Sequence, residues 1–239
     1  MNEKTFAGTV RSIRALADMP EEYRQAVGKI VISHAVNEIA GAEAFDEPSI
    51  RLAPTAHLKW LACRIAMEEY GHHVQFYRLA RQMGIPGEAL DHRRKHLSVF
   101  DFRMSTWTQF VVLKALGDLA EVIMVEELLD CSFLPLRSLA AKTRPEEEFH
   151  AGFGRNQARK LARTAQGRSQ LQQAIDEFFP AMPPFFGASV SRNNELFRKW
   201  GIKRRTNDEM RADYLGRVTR LVEGELGLRL PPVAGAPGR

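Results

Sequence analysis

Apolar residues recur along this chain at alternating steps of four and three, the spacing that lines one face of an α-helix. Four long stretches of this kind predict helices near 21–44, 54–83, 104–131 and 134–165. Shorter ones predict helices near 168–179, 190–199 and 207–226. Asp46-Glu47-Pro48, Gly84-Ile85-Pro86-Gly87 and Pro180-Ala181-Met182-Pro183-Pro184 carry the turn-forming residues that should separate them. Pro145 falls inside the fourth long stretch, where its missing N–H should kink the helix or restart it with Thr143 as cap. The pattern therefore predicts an all-α fold, a four-helix bundle with additional short C-terminal helices. A single domain should span 1–231, followed by a disordered tail over 232–239, PVAGAPGR.

The apolar stripes contain acids and histidines where leucines would be expected. In the second helix the stripe reads Leu58, Ala62, Ile65, Glu69, His72, Phe76, Leu79. Glu69 and His72 are three apart and share a face, so a carboxylate and an imidazole converge on one point. The same Glu-x-x-His spacing returns as Glu147 and His150 in PEEEFHAG. Roughly 0.6 such pairs are expected by chance in a chain with seven histidines, so the weight rests on the inward position of the pairs. A buried unpaired carboxylate costs several kcal/mol, and a divalent cation compensates both its charge and its hydrogen-bonding demand.

Two Glu-x-x-His pairs plus one further acid from each of two other helices form the ligand set of a dinuclear metal centre in a four-helix bundle. In the first helix the stripe Val27, Ile30, Val31, His34, Glu38, Ala42 includes Glu38 and leaves Glu43 outside. In the third, Trp107, Val111, Ala115, Asp118, Val122, Val125, Leu129 includes Asp118, with Glu121 one turn on as the alternative. Glu38 precedes Glu69 by nearly as many residues as Asp118 precedes Glu147, which suggests duplicated helix hairpins and favours Asp118. Carboxylate and imidazole ligands accept iron or manganese alike.

Composition narrows the setting. A length of 239 residues suffices for one sizeable core. No apolar run is long enough to span a membrane, and MNEKTFAGTV lacks the layout of a signal peptide, so a cytoplasmic protein is expected. Cys63 and Cys131 both fall in helical stripes and are expected to be buried, unpaired thiols. The formal charge of +5 permits an acidic partner. The basic residues are dispersed, however, and no nucleic-acid reader motif accompanies them. The densest group, Lys199-Trp200-Gly201-Ile202-Lys203-Arg204-Arg205, reads first as a solvated helix end and second as a phosphate-binding or docking face. There is no glycine-rich dinucleotide fingerprint and no cysteine cluster, so electrons for any redox reaction should come from a separate reductase.

Several segments in one order resemble a known family: SHAVNEIAGAE around Glu38, RLAPT at Arg51 to Thr55, MEEYGHH around Glu69 and His72, KHLSVFDF at Lys95 to Phe102, LGDLAEV around Asp118, EEEFH around His150 and WGIKRRTNDE from Trp200 to Glu209. From Met19 to Pro231 the chain resembles the catalytic A subunits of ring 1,2-phenylacetyl-CoA epoxidases, the multicomponent ferritin-like di-iron oxygenases of phenylacetate catabolism. Those subunits continue past LGLRLP with an extension packed on a partner subunit, so the likeness is to a C-terminally shortened relative. The resemblance implies metal ligation by Glu38, Glu69, His72, Asp118, Glu147 and His150, with Glu69 and Glu147 bridging two Fe ions. It also implies that Glu68 and Glu146 orient the imidazole of the opposite pair. The implied reaction is an O2-dependent monooxygenation of an aromatic acyl-CoA. The implied partners are the small-molecule substrate, a separate reductase, and a ferritin-like partner subunit or a second copy of the chain. A metal-free structural subunit of such a complex, or a biosynthetic di-iron oxygenase for another aryl or acyl substrate, are the alternatives.

Overall fold

The computed structural model describes residues 6–93 and 97–232. In chain order its α-helices are α1 (Ile13–Ala17), α2 (Glu21–Gly41), α3 (Glu47–Leu52), α4 (Ala56–Gln82), α5 (Trp107–Val112), α6 (Asp118–Leu128), α7 (Leu134–Leu161), α8 (Ala165–Phe178), α9 (Arg192–Lys199) and α10 (Asn207–Thr219). Among the described residues there is no β-strand, only an isolated bridge between Val10 and Phe133. Among the described residues no helix is long and apolar enough to cross a membrane. The expected tail, Pro232 apart, and the basic residues Arg94 and Lys95 lie outside the described residues.

The chain is all-α and forms a ferritin-like bundle. Its long helices start and stop where local chemistry directs. Thr55 accepts a hydrogen bond from the Leu58 N–H and starts α4, Thr106 and Gln109 form a reciprocal box at the start of α5, and Gly84, at φ +81°, turns the chain after α4. Helix α2 packs along α4, α6 along α7, and α4 meets α7, closing the four-helix layer. One apolar core lies between α2, α4 and the start of α7, around Tyr23, Val27, Phe76 and Leu136. A second lies between α5, α6, α8 and α10, around Val111, Ile123, Phe178 and Tyr214.

Of three π-helical segments among the described residues, one, Arg220–Glu225, follows α10 and two interrupt the bundle helices. Ala42–Asp46 joins α2 to α3, and Leu113–Gly117 joins α5 to α6. Such segments add a residue to one turn and rotate the next stretch of helix about its axis. The break expected at Asp46-Glu47-Pro48 is therefore absent: Pro48 sits in the first turn after the π segment, where a missing N–H is tolerated. Pro145 likewise does not restart α7, which is assigned continuously through it, and Thr143 bonds back to the Leu139 carbonyl at 3.1 Å instead of capping. Cys131 is buried, but Cys63 is exposed, because Ala62, Ile65, Ala66 and Glu69 take the inward face of α4.

Candidate metal centre

Each of the six candidate ligands projects from a bundle helix into the space between the two cores. Glu38 comes from α2, Glu69 and His72 from α4, Asp118 from α6, and Glu147 and His150 from α7; all are buried. They form two overlapping groups, Glu38, Glu69, His72, Glu147 and Glu69, Asp118, Glu147, His150, each with its donor atoms within 4.8 Å of one another. Glu69 and Glu147 belong to both. His72 Nδ1 lies 3.1 Å from Glu147 Oε1 and 3.6 Å from both Glu38 Oε2 and Glu69 Oε2. His150 Nδ1 lies 3.1 Å from Glu69 Oε1, 3.8 Å from Glu147 Oε2 and 4.0 Å from Asp118 Oδ2.

The opposite ring nitrogens are held by acids from across the bundle. His72 Nε2 is 2.7 Å from Glu146 Oε2 and His150 Nε2 is 2.8 Å from Glu68 Oε2, so each Glu-Glu-x-x-His copy steadies the histidine of the other. A carboxylate at Nε2 takes the N–H of that nitrogen and turns Nδ1 inward. Arg64, stacked over the Phe149 ring, also donates to Glu68 at 2.8 Å. Burial alone would raise the Glu68 carboxyl, but the hydrogen bonds from His150 and Arg64 bring it below its ordinary value.

Sequence patterning missed two members of this cluster, Lys114 and Asp46, both on π segments. Lys114 Nζ is buried 2.7 Å from Asp46 Oδ1, 2.8 Å from Glu69 Oε1 and 3.1 Å from Asp118 Oδ2. A signal was present: Lys114 lies one turn before Asp118 and is the one charge in the run VVLKALG. Asp46 reads in sequence as part of a turn. The surroundings leave room for little else, since a β-carbon on Gly154 of α7 would lie 2.2 Å from the Ala115 nitrogen.

The electrostatics call for added positive charge. Desolvation dominates at Asp46 and Asp118 and pushes both carboxyls up, Asp46 to about 7, despite Lys114 beside them. Burial would depress His72 and His150, but the acids facing their Nδ1 atoms raise both well above the usual imidazole range. Both Nδ1 atoms, both Glu147 oxygens and Asp118 Oδ2 are buried and make no well-aligned hydrogen bond. In a stable fold such atoms need a partner. Two divalent cations would balance the charge of Glu38, Glu69, Asp118 and Glu147 and accept the lone pairs of both imidazoles, while Lys114 balances Asp46. The donor set fits a dinuclear metal site.

With this geometry, a match to one family sequence profile, that of the phenylacetic acid catabolic proteins, runs over residues 1–238. The chain belongs to the phenylacetic acid catabolic protein family. It is 30% identical over 221 residues to the A subunit of the 1,2-phenylacetyl-CoA epoxidase of Escherichia coli (strain K12), an alignment covering 89% of this chain and 71% of that one.

In this phenylacetic acid catabolic protein the cluster borders a small cavity of about 60 Å³, walled by Phe45, Val99, Phe100, Leu113, Met182 and Phe185. Glu121 lines the cavity but belongs to neither four-residue group. Burial pushes its carboxyl up, and the carboxylates of Glu38, Glu147, Glu69 and Asp118 push it further. The basic group at 199–205 is a helix end that is only partly solvated: Lys199 closes α9 and Arg204 is exposed, but the rest turns inward. Ile202 and Lys203 are buried, Arg205 pairs with buried Glu127 at 2.5 Å, and Arg204 pairs with Asp130 at 2.7 Å.

Proposed function

We propose that this chain is a di-iron, O2-dependent monooxygenase component that epoxidises the ring of a phenylacetyl-CoA-like aromatic acyl thioester. The observation that carries the reading is the pair of Glu/His groups sharing Glu69 and Glu147. The epoxidase named among its relatives supports the substrate class. Glu38 and His72 would complete the ligands of one iron, and Asp118, in preference to Glu121, and His150 those of the other; manganese is the other metal these ligands accept. Two irons held there would supply the reduction of O2 that puts one oxygen atom on the ring and releases the other as water. The chain's own contribution is placement. Glu146 and Glu68 hold the outer proton of each imidazole, and the aromatic and aliphatic wall around Phe45, Phe100 and Phe185 keeps water from the reacting ring. Residues 1–231 act as one domain in the cytoplasm, with electrons from a separate reductase and a ferritin-like partner subunit or a second copy alongside.

The test is turnover of phenylacetyl-CoA under ¹⁸O2 with iron-loaded protein and a reductase. One ¹⁸O atom in the thioester product, lost in Glu147→Ala, is the expected result. Unlabelled substrate recovered from protein that holds its irons would overturn the reaction assigned here. One observation favours a second reading: the Lys114 ammonium lies 2.8 Å from Glu69 Oε1 and 3.1 Å from Asp118 Oδ2, so two of the proposed ligands already share one counter-charge, as they would in a metal-free structural subunit. Metal stoichiometry separates the two readings.

A further inference from the structure

A lysine already stands in one half of the cluster. Lys114 Nζ lies 2.8 Å from Glu69 Oε1 and 3.1 Å from Asp118 Oδ2. The same two oxygens face His150 Nδ1, at 3.1 and 4.0 Å. The ammonium therefore holds the carboxylate atoms that a cation beside His150 would use. Glu69 turns its other oxygen, Oε2, toward His72 Nδ1 at 3.6 Å. Among the described residues no lysine or arginine lies within ion-pair distance of Glu38 or Glu147, which at that distance meet only the imidazoles of His34, His72 and His150. The Glu38/His72 half is thus a set of free donors, and the Asp118/His150 half is a set partly taken.

A divalent ion entering a few ångströms from an ammonium meets like-charge repulsion that a buried site, weakly screened by salt, does little to relieve. Lys114 is itself buried and cannot retreat to water; its one remaining partner is Asp46, whose Oδ1 is 2.7 Å away. Asp46 belongs to neither four-residue group and, among the described residues, pairs with no other cation. Asp46, Lys114 and Asp118 all line the cavity of about 60 Å³, which leaves the ammonium room to shift between the two acids. We infer that Lys114 is a positioning residue that makes the two metal subsites unequal. The Glu38/His72 side fills first, and the Asp118/His150 side fills only as the ammonium withdraws from Glu69 and Asp118 onto Asp46. The proposal rests on the dinuclear reading above.

It is tested by anaerobic titration of the metal-free full chain with ferrous iron, followed by calorimetry with chelator competition and by Mössbauer spectra at one and two equivalents. Wild type should take one iron tightly and a second about tenfold or more weakly. His150→Ala should keep the tight step and lose the weak one, whereas His72→Ala should leave only a weak one. Lys114→Met should tighten the second step relative to the first by roughly 10–100-fold. Lys114→Met combined with Asp46→Leu, which removes the buried acid together with its partner, should do the same with the buried charges kept in balance. Asp46→Asn, which leaves the ammonium no acid to withdraw to, should weaken the second step instead. Two irons bound in equal steps by wild type, a tight step that survives His72→Ala, or a ratio of steps unmoved in both Lys114 variants would each overturn the proposal while leaving the dinuclear site intact. A wild type that takes up no iron would overturn the dinuclear reading and this proposal with it.

Discussion

Lys114 Nζ lies within 3.1 Å of Asp46, Glu69 and Asp118, so a charge balance drawn from the six candidate ligands alone omits a cation and an acid. Removing one partner of a buried ion set leaves the others uncompensated. Lys114→Met is expected to destabilise the metal-free protein by about 3–5 kcal/mol in urea unfolding, and adding Asp46→Leu should recover much of that. A loss within experimental error would mean the ammonium is not compensating these acids. Glu146→Gln and Glu68→Gln act differently, because these acids meet the cluster only through the outer nitrogens of His72 and His150, Glu68 also accepting from Arg64 on its far side. Each should weaken iron binding roughly 10–100-fold in chelator competition while leaving Tm nearly unchanged. The six ligand candidates were legible in sequence because each is a charged or polar residue standing in an apolar stripe. Lys114 left only the signal of a lone charge in an apolar run, since it sits beside the stripe and reaches the cluster from a π turn.

Helix positions were largely readable from periodicity and from breaks such as Gly84, while the caps at Thr55 and Thr106 came from the structure. The two π segments within the bundle were not, because one additional residue in a turn leaves no mark in composition; only the structure reveals that Ala42–Asp46 and Leu113–Gly117 depart from α geometry. Pro48 as a break and Pro145 as a restart were over-read for a related reason. Pro48 follows a π segment, and Pro145 lies in a long helix that has packing on several sides to hold it. The approach of α7 to the second π segment depends on Gly154, where a β-carbon would fall 2.5 Å from the Lys114 carbonyl carbon. Gly154→Ala is expected to cost about 1–3 kcal/mol or more and to impair iron binding with it, as seen by denaturant unfolding and metal analysis of one preparation. Unchanged stability would show that the helices separate freely there.

At the scale of the molecule, the segment after α9 is fastened to the bundle by Glu127. This buried carboxylate accepts the Arg204 and Arg205 N–H groups at 2.9 Å each and the Arg205 guanidinium at 2.5 Å. Burial would raise its pKa, but those bonds hold it below the ordinary value. Its contribution to stability is therefore present above the unfolded carboxyl pKa of about 4.3 and disappears as pH falls through the lower folded value. Glu127→Gln should lose stability at neutral pH and flatten the acid limb of the stability profile below about pH 5; a limb as steep as wild type would assign it to other acids. Sequence placed the 199–205 group as a surface feature, since charge density does not reveal that the chain folds back on α6.

All of this converges on whether the buried cluster holds two metals. Iron per chain, measured after anaerobic ferrous loading and removal of excess for wild type and Glu69→Ala, is the most direct test. About two irons in wild type, with most of that content lost when the shared Glu69 is removed, is the expected result. A wild type with no stoichiometric iron, or one whose iron survives Glu69→Ala intact, would contradict the dinuclear site and leave Lys114 as the cluster's own counter-ion.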